Sequence, residues 1–483
     1  MERRDLQKVF LTRNNMQTIP NGTCPKCSQL SMLLLDCNAF LNHIPDEFFN
    51  NMPALKVLDL SDTMIERLPT SLFNLKCLTV LLLSGCAKLS YIPSLGKLKR
   101  LISLDLSSTA ITEAPTGLES LVNLRCLHLL PIEKLKMSAS LLSKLINLEC
   151  LEVDWAEWST DARGQGTRGL KKLEVVAHFR DISVFNNFVS FLTHNCVRSY
   201  RLTLQDAKYY VDRCSFHQSH REYSVKKILI KDMVLGSEKV ILPGDIEKLV
   251  IKNYRQGTGN RSLCSVLSYG HNNKPSQTEL LEINLSSDLQ FLYCCNCPFC
   301  FSTQLVGCLK ITAVKLKDLV SPYADSLHQS TLFSHLTDLS IWGCNSMEAL
   351  MTPKLLAHLQ NLRTISVVAC RQMKEMVGAE EDHSSGDLMV LLCNHLPHPT
   401  VTLPKLTSLK LHSMPQLDFV YRGTMLCPSL QTFSAMYCEQ LNHPQMAISN
   451  DGGGLLMEKT PTGYCWRINI DQPVPYLTSF KFC

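Results

Sequence analysis

Twenty-two cysteines and 15 histidines are the residues from which this chain could build a metal centre or a nucleophile. Two pairs have chelate spacing, Cys24-x-x-Cys27 and Cys297-x-x-Cys300, and Cys294 and Cys295 adjoin the second. A structural zinc site needs four donors converging on one ion, and these pairs lie far apart along the chain. Residues 294–300 hold four thiols by themselves, at a spacing too tight for a tetrahedral shell. His217 and His220, close to Cys214, form a loose ligand pattern whose simpler reading is a solvated loop. Neither G-x-x-x-x-G-K-S/T, G-x-S-x-G nor H-E-x-x-H is present, and Leu95-Gly96-Lys97-Leu98 is only a turn. The expectation is therefore no enzyme, with no catalytic residue, cofactor or metal site.

Four other cysteines point to the element that holds them. Cys86, Cys344, Cys370 and Cys438 each follow by three residues the last apolar residue of a short motif: Leu83, Ile341, Val367 and Ala435. Asn14, Asn38, Thr63 and Thr109 fill the same place elsewhere. A small side chain there can turn inward and bond the backbone of the neighbouring turn, so these cysteines read as reduced and structural. The motif itself is L-x-x-L-x-L: Leu55, Leu58, Leu60; Leu78, Leu81, Leu83; Leu101, Leu104, Leu106; Leu124, Leu127, Leu129. Its first leucines recur every 23 residues, and Leu6/Val9/Leu11, Leu30/Leu33/Leu35 and Leu148/Leu151/Val153 extend the series at 24 or 25. In L-x-L the two leucines face one way and the middle residue the other. Stacked in parallel, such strands bury their leucines only against neighbouring repeats.

The expected fold is an α/β repeat solenoid, a leucine-rich-repeat horseshoe with a parallel concave sheet, convex loops and short helices. Residues 1–160 are regular repeats, and 161–305 are irregular repeats with longer loops such as Arg163–Gly166 and Gly257–Asn260. Candidate strands in that middle region carry Leu170/Leu173/Val175, Val225/Ile228/Ile230, Ile246/Leu249/Ile251 and Leu280/Ile283/Leu285. Residues 306–445 take a cysteine-type form, as in Leu336, Leu339, Ile341, Cys344, Met347, Leu350. Here Pro353–Leu359 reads as a short convex helix, and an acidic insertion lies near 379–390. Residues 446–483 form a tail. About 17 units result.

What is left is surface. Outward strand positions give Asp36, Asp59, Asp62, Asp105, Glu152 and Asp154 early, and Arg201, Lys231, Lys252, Lys315, Lys317 and Lys410 later. The expectation is two electrostatically distinct docking regions, one acidic and one basic. Trp155, Trp158, Trp342 and Tyr437 are outward or near-outward aromatics of the kind that anchor interfaces. A solvated strand face is the plainer alternative. The net charge of +5 is too mild for a nucleic-acid stripe. No secretory signal or apolar run of spanning length is found, which points to a cytoplasmic protein, with membrane-peripheral or nuclear placement through partners.

The stretch from Leu55 to Pro69 (LKVLDLSDTMIERLP) resembles plant intracellular disease-resistance proteins of the coiled-coil, nucleotide-binding, leucine-rich-repeat type. Tyr91–Leu98, Ile341–Met347, Cys370–Gly378, Met414–Leu417 and Cys427–Leu430 extend the likeness over roughly residues 5–445. The resemblance implies recognition of a pathogen effector or a guarded host protein, and restraint of a nucleotide-binding switch module. The coiled-coil and nucleotide-binding modules themselves are not in this sequence, so nucleotide binding is not carried over, and a fragment, a truncated gene model or a repeat-only relative is expected. The alternatives are a non-immune scaffold or adaptor and an extracellular receptor ectodomain. The missing signal and the few N-x-S/T sites, at Asn21, Asn260 and Asn284, weigh against the last.

Overall fold

A computed structural model of the chain describes residues 5–132, 135–155, 157–159, 170, 172–195, 197–205, 225–235, 238–252, 255–256, 267–269, 279–285, 291–293, 306–313, 316–320, 333–378, 400–423, 425–441, 446–447, 455–460 and 463–468. The chain divides into two compact units, Met1–Ile228 and Leu229–Cys483.

In the first unit each repeat contributes one short parallel strand: β1 Lys8–Phe10, β2 Met32–Leu34, β3 Val57–Asp59, β4 Val80–Leu82, β5 Ser103–Asp105 and β6 Cys126–Leu129. Longer strands follow, β7 Cys150–Trp155, β8 Glu174–Phe179 and β9 Ser199–Gln205. Each pairs in parallel with the next. Leu58, Leu81, Leu104 and Leu127 are in register and fully buried, as are Leu60, Leu83 and Leu106 beyond the strand ends. Burying one such leucine is worth about 1.5–3 kcal/mol, and no single repeat can do it alone.

The turn after each strand is held by the residue that the sequence places there. Asn38 is wholly buried. Its carbonyl accepts from the amides of Asn14 (2.9 Å) and Met16 (3.1 Å), and its amide donates to Leu11 O and Leu35 O at 2.8 Å each. At the same position Thr63 Oγ1 donates to Leu60 O at 2.8 Å, and the Cys86 thiol reaches that same carbonyl at 3.1 Å. Cys86, Cys344 and Cys370 are buried, Cys438 is half-buried, and all four are free thiols. Burial pushes the Cys86 thiol up, and raises Cys438 to about 11. A contact with Cys370 and then burial raise Cys344. The hydrogen bond with Cys344 lowers Cys370 instead, so it is the three raised thiols that have the character of inert, structural cysteines.

Helix α1, Ala139–Lys144, and helix α2, Ile182–Asn195, occupy the return side. The second was not anticipated from the repeat pattern. Its buried residues Ile182, Phe185, Phe188, Val189 and Leu192 recur at helical spacing. Phe185 and Phe188 pack on Phe179, each with ring centroids 5.3 Å apart.

The second unit repeats the scheme with β10 Lys248–Lys252, β11 Leu280–Leu285, β12 Cys308–Ala313, β13 Asp338–Trp342, β14 Thr364–Val368, β15 Ser408–His412 and β16 Thr432–Met436, again parallel. Two expectations shift by two residues. Leu281 and Ile283, not Ile283 and Leu285, align with Leu249 and Ile251. Val175 and Ala177, not Leu173 and Val175, align with Leu151 and Val153. A slip of two preserves which side chains face outward.

The return side also differs from expectation. Besides the loops and short helices expected there, it carries short parallel strands, for example Ala349–Met351, Glu375–Val377 and Phe419–Tyr421. Helix α3, Pro353–Ala357, sits where the sequence placed one, its first turn capped by the Thr352 hydroxyl accepting from the Leu355 amide at 3.3 Å. Within the tail, Leu455–Thr460 and Gly463–Ile468 pair as an antiparallel hairpin. No helix among the described residues is long and apolar enough to cross a membrane.

Candidate functional site

In the first unit the outward side chains stack in rows fixed by the register. One row runs Leu34, Asp59, Leu82, Asp105, and continues through His128, Glu152, Val176 and Arg201. Asp59 and Asp105 thus share a row two strands apart, about 10 Å. Each accepts a hydrogen bond from its own turn, Ser61 N and Ser107 N, both at 2.9 Å. No cation lies within salt-bridge distance of either among the described residues. Burial raises the Asp59 carboxyl above its ordinary value, and the charges of Asp36 and Asp105 add to this against the hydrogen bonds from Ser61.

Asp36 lies beyond the end of β2, where Thr12 Oγ1 donates to it at 2.7 Å. Asp62 is in the turn after β3, in a left-handed conformation (φ 54°), and exposed. Its carboxylate covers the backbone of Gly85 so closely that any Cβ there would collide with it, and Gly85 is itself left-handed (φ 75°).

Asp154 is placed differently from expectation. Its side chain is 2% exposed and paired at 3.3 Å with Arg180, which directly follows β8. β7 reaches Trp155, but the side chains of Trp155 and Trp158 lie outside the described residues, as do His217, His220, Cys214 and Cys294 to Cys300.

In the second unit two rows carry the outward residues. Val250, which is itself buried, Glu282, Lys310, Ser340, Ser366, Lys410 and Ser434 form one, and Lys252, Asn284, Thr312, Trp342, Val368 and His412 the next. Trp342 is 52% exposed and overlooks a hollow of ≈ 290 Å³ lined by Glu282, Asn284, Lys310, Thr312 and Ser340. Lys410 is exposed between two serines. Tyr437, 48% exposed and left-handed (φ 57°), directly follows β16.

The face is mixed rather than simply basic. Lys252 pairs with Glu282 at 3.3 Å, and Lys231 lies 4.0 Å from Asp232. Lys317 is not on this face, since the chain has already turned toward the return strand Asp318–Val320. Lys315 lies outside the described residues.

One family model, "Leucine-rich repeat region", matches residues 8–217, and another, "Plant disease resistance protein RPS2-like, leucine-rich repeats", matches residues 308–444. The Arabidopsis thaliana disease resistance protein At4g27190 is 25% identical over 99% of this chain and 47% of its own length. The chain is a leucine-rich-repeat region, similar along nearly its whole length to those of plant disease-resistance proteins. The probable disease resistance protein At4g27220, from the same plant, is 28% identical over 92% of this chain and 47% of itself. The chain thus spans about half the length of these two relatives. Among solved structures, a leucine-rich-repeat protein of Leptospira interrogans is 17% identical over 77% of this chain and 91% of its own, with a TM-score of 0.38, a likeness too loose to carry any residue across.

The first unit also holds a cluster that sequence reasoning missed. Register pairs Cys126 with Cys150 and His128 with Glu152 across β6 and β7. His128 Nδ1 lies 3.0 Å from Glu152 Oε2, both side chains about a quarter exposed. Burial alone would lower His128, but hydrogen bonding with Cys126 and Glu152, and the Glu152 and Asp105 charges, outweigh it and raise the imidazole to about 10. Burial and then the Glu152 charge push the Cys150 thiol up to about 12. The available signal was Cys126-x-His128 followed at the next repeat by Cys150-x-Glu152.

Proposed function

We propose that this chain is the recognition and regulatory region of a plant innate immune receptor. Its early outward row docks a nucleotide-binding switch module, and its later outward row reads a pathogen effector or a guarded host protein. The observation that carries the reading is the group of carboxylates Asp36, Asp59 and Asp105: the charges of Asp36 and Asp105 both bear on Asp59, and among the described residues no cation lies within salt-bridge distance of the three. Such a surface gains most when a basic partner covers it. The face around Trp342 is of another kind: an exposed indole beside a hollow lined by small polar residues and a lysine. Aromatic anchors of this sort concentrate binding energy.

The test is co-precipitation with a nucleotide-binding module supplied in trans, across a salt series. Reversal of Asp59, Asp62 and Asp105 to lysine is expected to weaken binding at least tenfold at low salt. The difference should narrow as ionic strength rises, because exposed charges are screened over about 8 Å at physiological salt. Alanine at Trp342, Lys410 and Tyr437 should leave that association intact and alter the effector response. Equal binding by the lysine set at every salt concentration would contradict the docking assignment.

A further inference from the structure

The cluster at the head of β6 and β7 continues the early outward row, and the docking scheme above makes no use of the chemistry of its donors. Three different donors meet there: an imidazole, a thiol and a carboxylate. The ligand atoms of His128, Cys150 and Glu152 all lie within 4.8 Å of one another. Two of the three sit at corresponding positions of adjacent parallel strands, and Cys150 is two residues before Glu152 on the same face. Each side chain is partly exposed, so an ion could reach the group without the repeat opening.

A tetrahedral ion with bonds of about 2.0–2.3 Å needs donors about 3.3–3.8 Å apart. His128 Nδ1 and Glu152 Oε2, at 3.0 Å, are slightly closer than that, and the adjustment needed is a side-chain rotation, since the β6 and β7 backbones are locked by the ladder. The mixture of nitrogen, sulfur and oxygen selects the class of metal. Hard cations such as calcium and magnesium prefer all-oxygen shells, whereas thiolate with imidazole favours zinc-like divalent ions.

We propose that His128, Cys150 and Glu152 form a binding site for one zinc-class divalent ion on the outward face of the first unit. The three protein donors leave a fourth position facing outward, and Cys126, hydrogen-bonded to His128 from the neighbouring position, holds the imidazole in place. The thiolate and carboxylate together balance the charge of the ion, and both the Cys150 thiol proton and the His128 imidazolium proton are released to solvent on binding. Such an ion would clip two consecutive repeats together through their side chains.

Cobalt(II) is the probe, because thiolate coordination gives it a near-ultraviolet charge-transfer band and a tetrahedral site gives intense visible absorption. The full chain, stripped with chelator under reducing conditions, is titrated with cobalt and then displaced with zinc. One equivalent is expected to show both signals and to be displaced by zinc. Cys150→Ser should abolish the charge-transfer band of that equivalent, and His128→Ala or Glu152→Gln should weaken its binding by at least tenfold. Cys297→Ser serves as the control for thiols elsewhere and should leave the equivalent unchanged. Circular dichroism melts confirm that each variant is folded, as side chains on the outward face allow. A parent that gives no thiolate–cobalt band, or a band that survives in both Cys150→Ser and His128→Ala, would overturn the proposal. This result is independent of the docking reading, since it is obtained without any protein partner.

Discussion

Replacing Asn38 with leucine is expected to destabilise the amino-terminal repeats by about 3 kcal/mol or more. The shape change is small, but the substitution strips partners from four backbone groups at once. The amides of Asn14 and Met16 lose their acceptor, and the carbonyls of Leu11 and Leu35 lose their donor. Asn38 is fully buried, so water cannot replace the bonds without opening the turn. Threonine should be milder, because Thr63 shows that a hydroxyl in this position still bonds the carbonyl three residues before it. Native-state hydrogen exchange at the amides of Leu33 and Leu35 measures the effect locally, which matters in a repeat array whose cooperativity is not global. An order in which leucine costs no more than threonine would contradict this account of the turn.

The second large effect is acid sensitivity centred on His178. This residue lies on β8 in register with Asp154 and Thr203 and is 5% exposed. Burial lowers its pKa to about 4, with Arg180 adding to the effect and Glu152 opposing it. The folded chain therefore holds the imidazole neutral where the unfolded chain, near 6.5, would take a proton. Stability is fully present above pH 6.5 and is lost as pH falls toward about 4, by about 3 kcal/mol from this group. Guanidinium midpoints at pH 7.5, 5.5 and 4.5 read the slope. His178→Phe, which fills the site without titrating, is expected to flatten it between pH 6.5 and 4. A variant with the parent's slope would place the acid sensitivity elsewhere.

Asn38 and Asp154 differ in how far they could be read from sequence. Asn38 belongs to a column that recurs as Asn14, Thr63, Cys86 and Thr109, so its role follows from spacing alone. The buried state of Asp154 does not, because it depends on Arg180, a partner contributed by the next repeat that has no counterpart in the earlier ones. Leu280 misled in another way. The run Leu280-Leu281-Glu282-Ile283-Asn284-Leu285 offers apolar residues at three pleat-compatible positions, and only pairing with Leu249 and Ile251 chooses among them. Helix α2 was legible in its helical spacing but was overlooked because the repeat period predicts a short return. The His128 cluster is invisible to any contiguous motif, since its members meet only when consecutive repeats stack.

The proposed docking of the early face is tested most directly by carboxyl footprinting of the chain with and without a nucleotide-binding module. Asp59 and Asp105 share the outward row, whereas Glu66 and Glu119 are exposed on the return side and serve as controls within the same molecule. Binding is expected to slow carbodiimide labelling of Asp59 and Asp105 at least severalfold and to leave Glu66 and Glu119 at their free rates. Protection confined to Glu66 and Glu119, or equal labelling of all four in a complex shown to have formed, would contradict it.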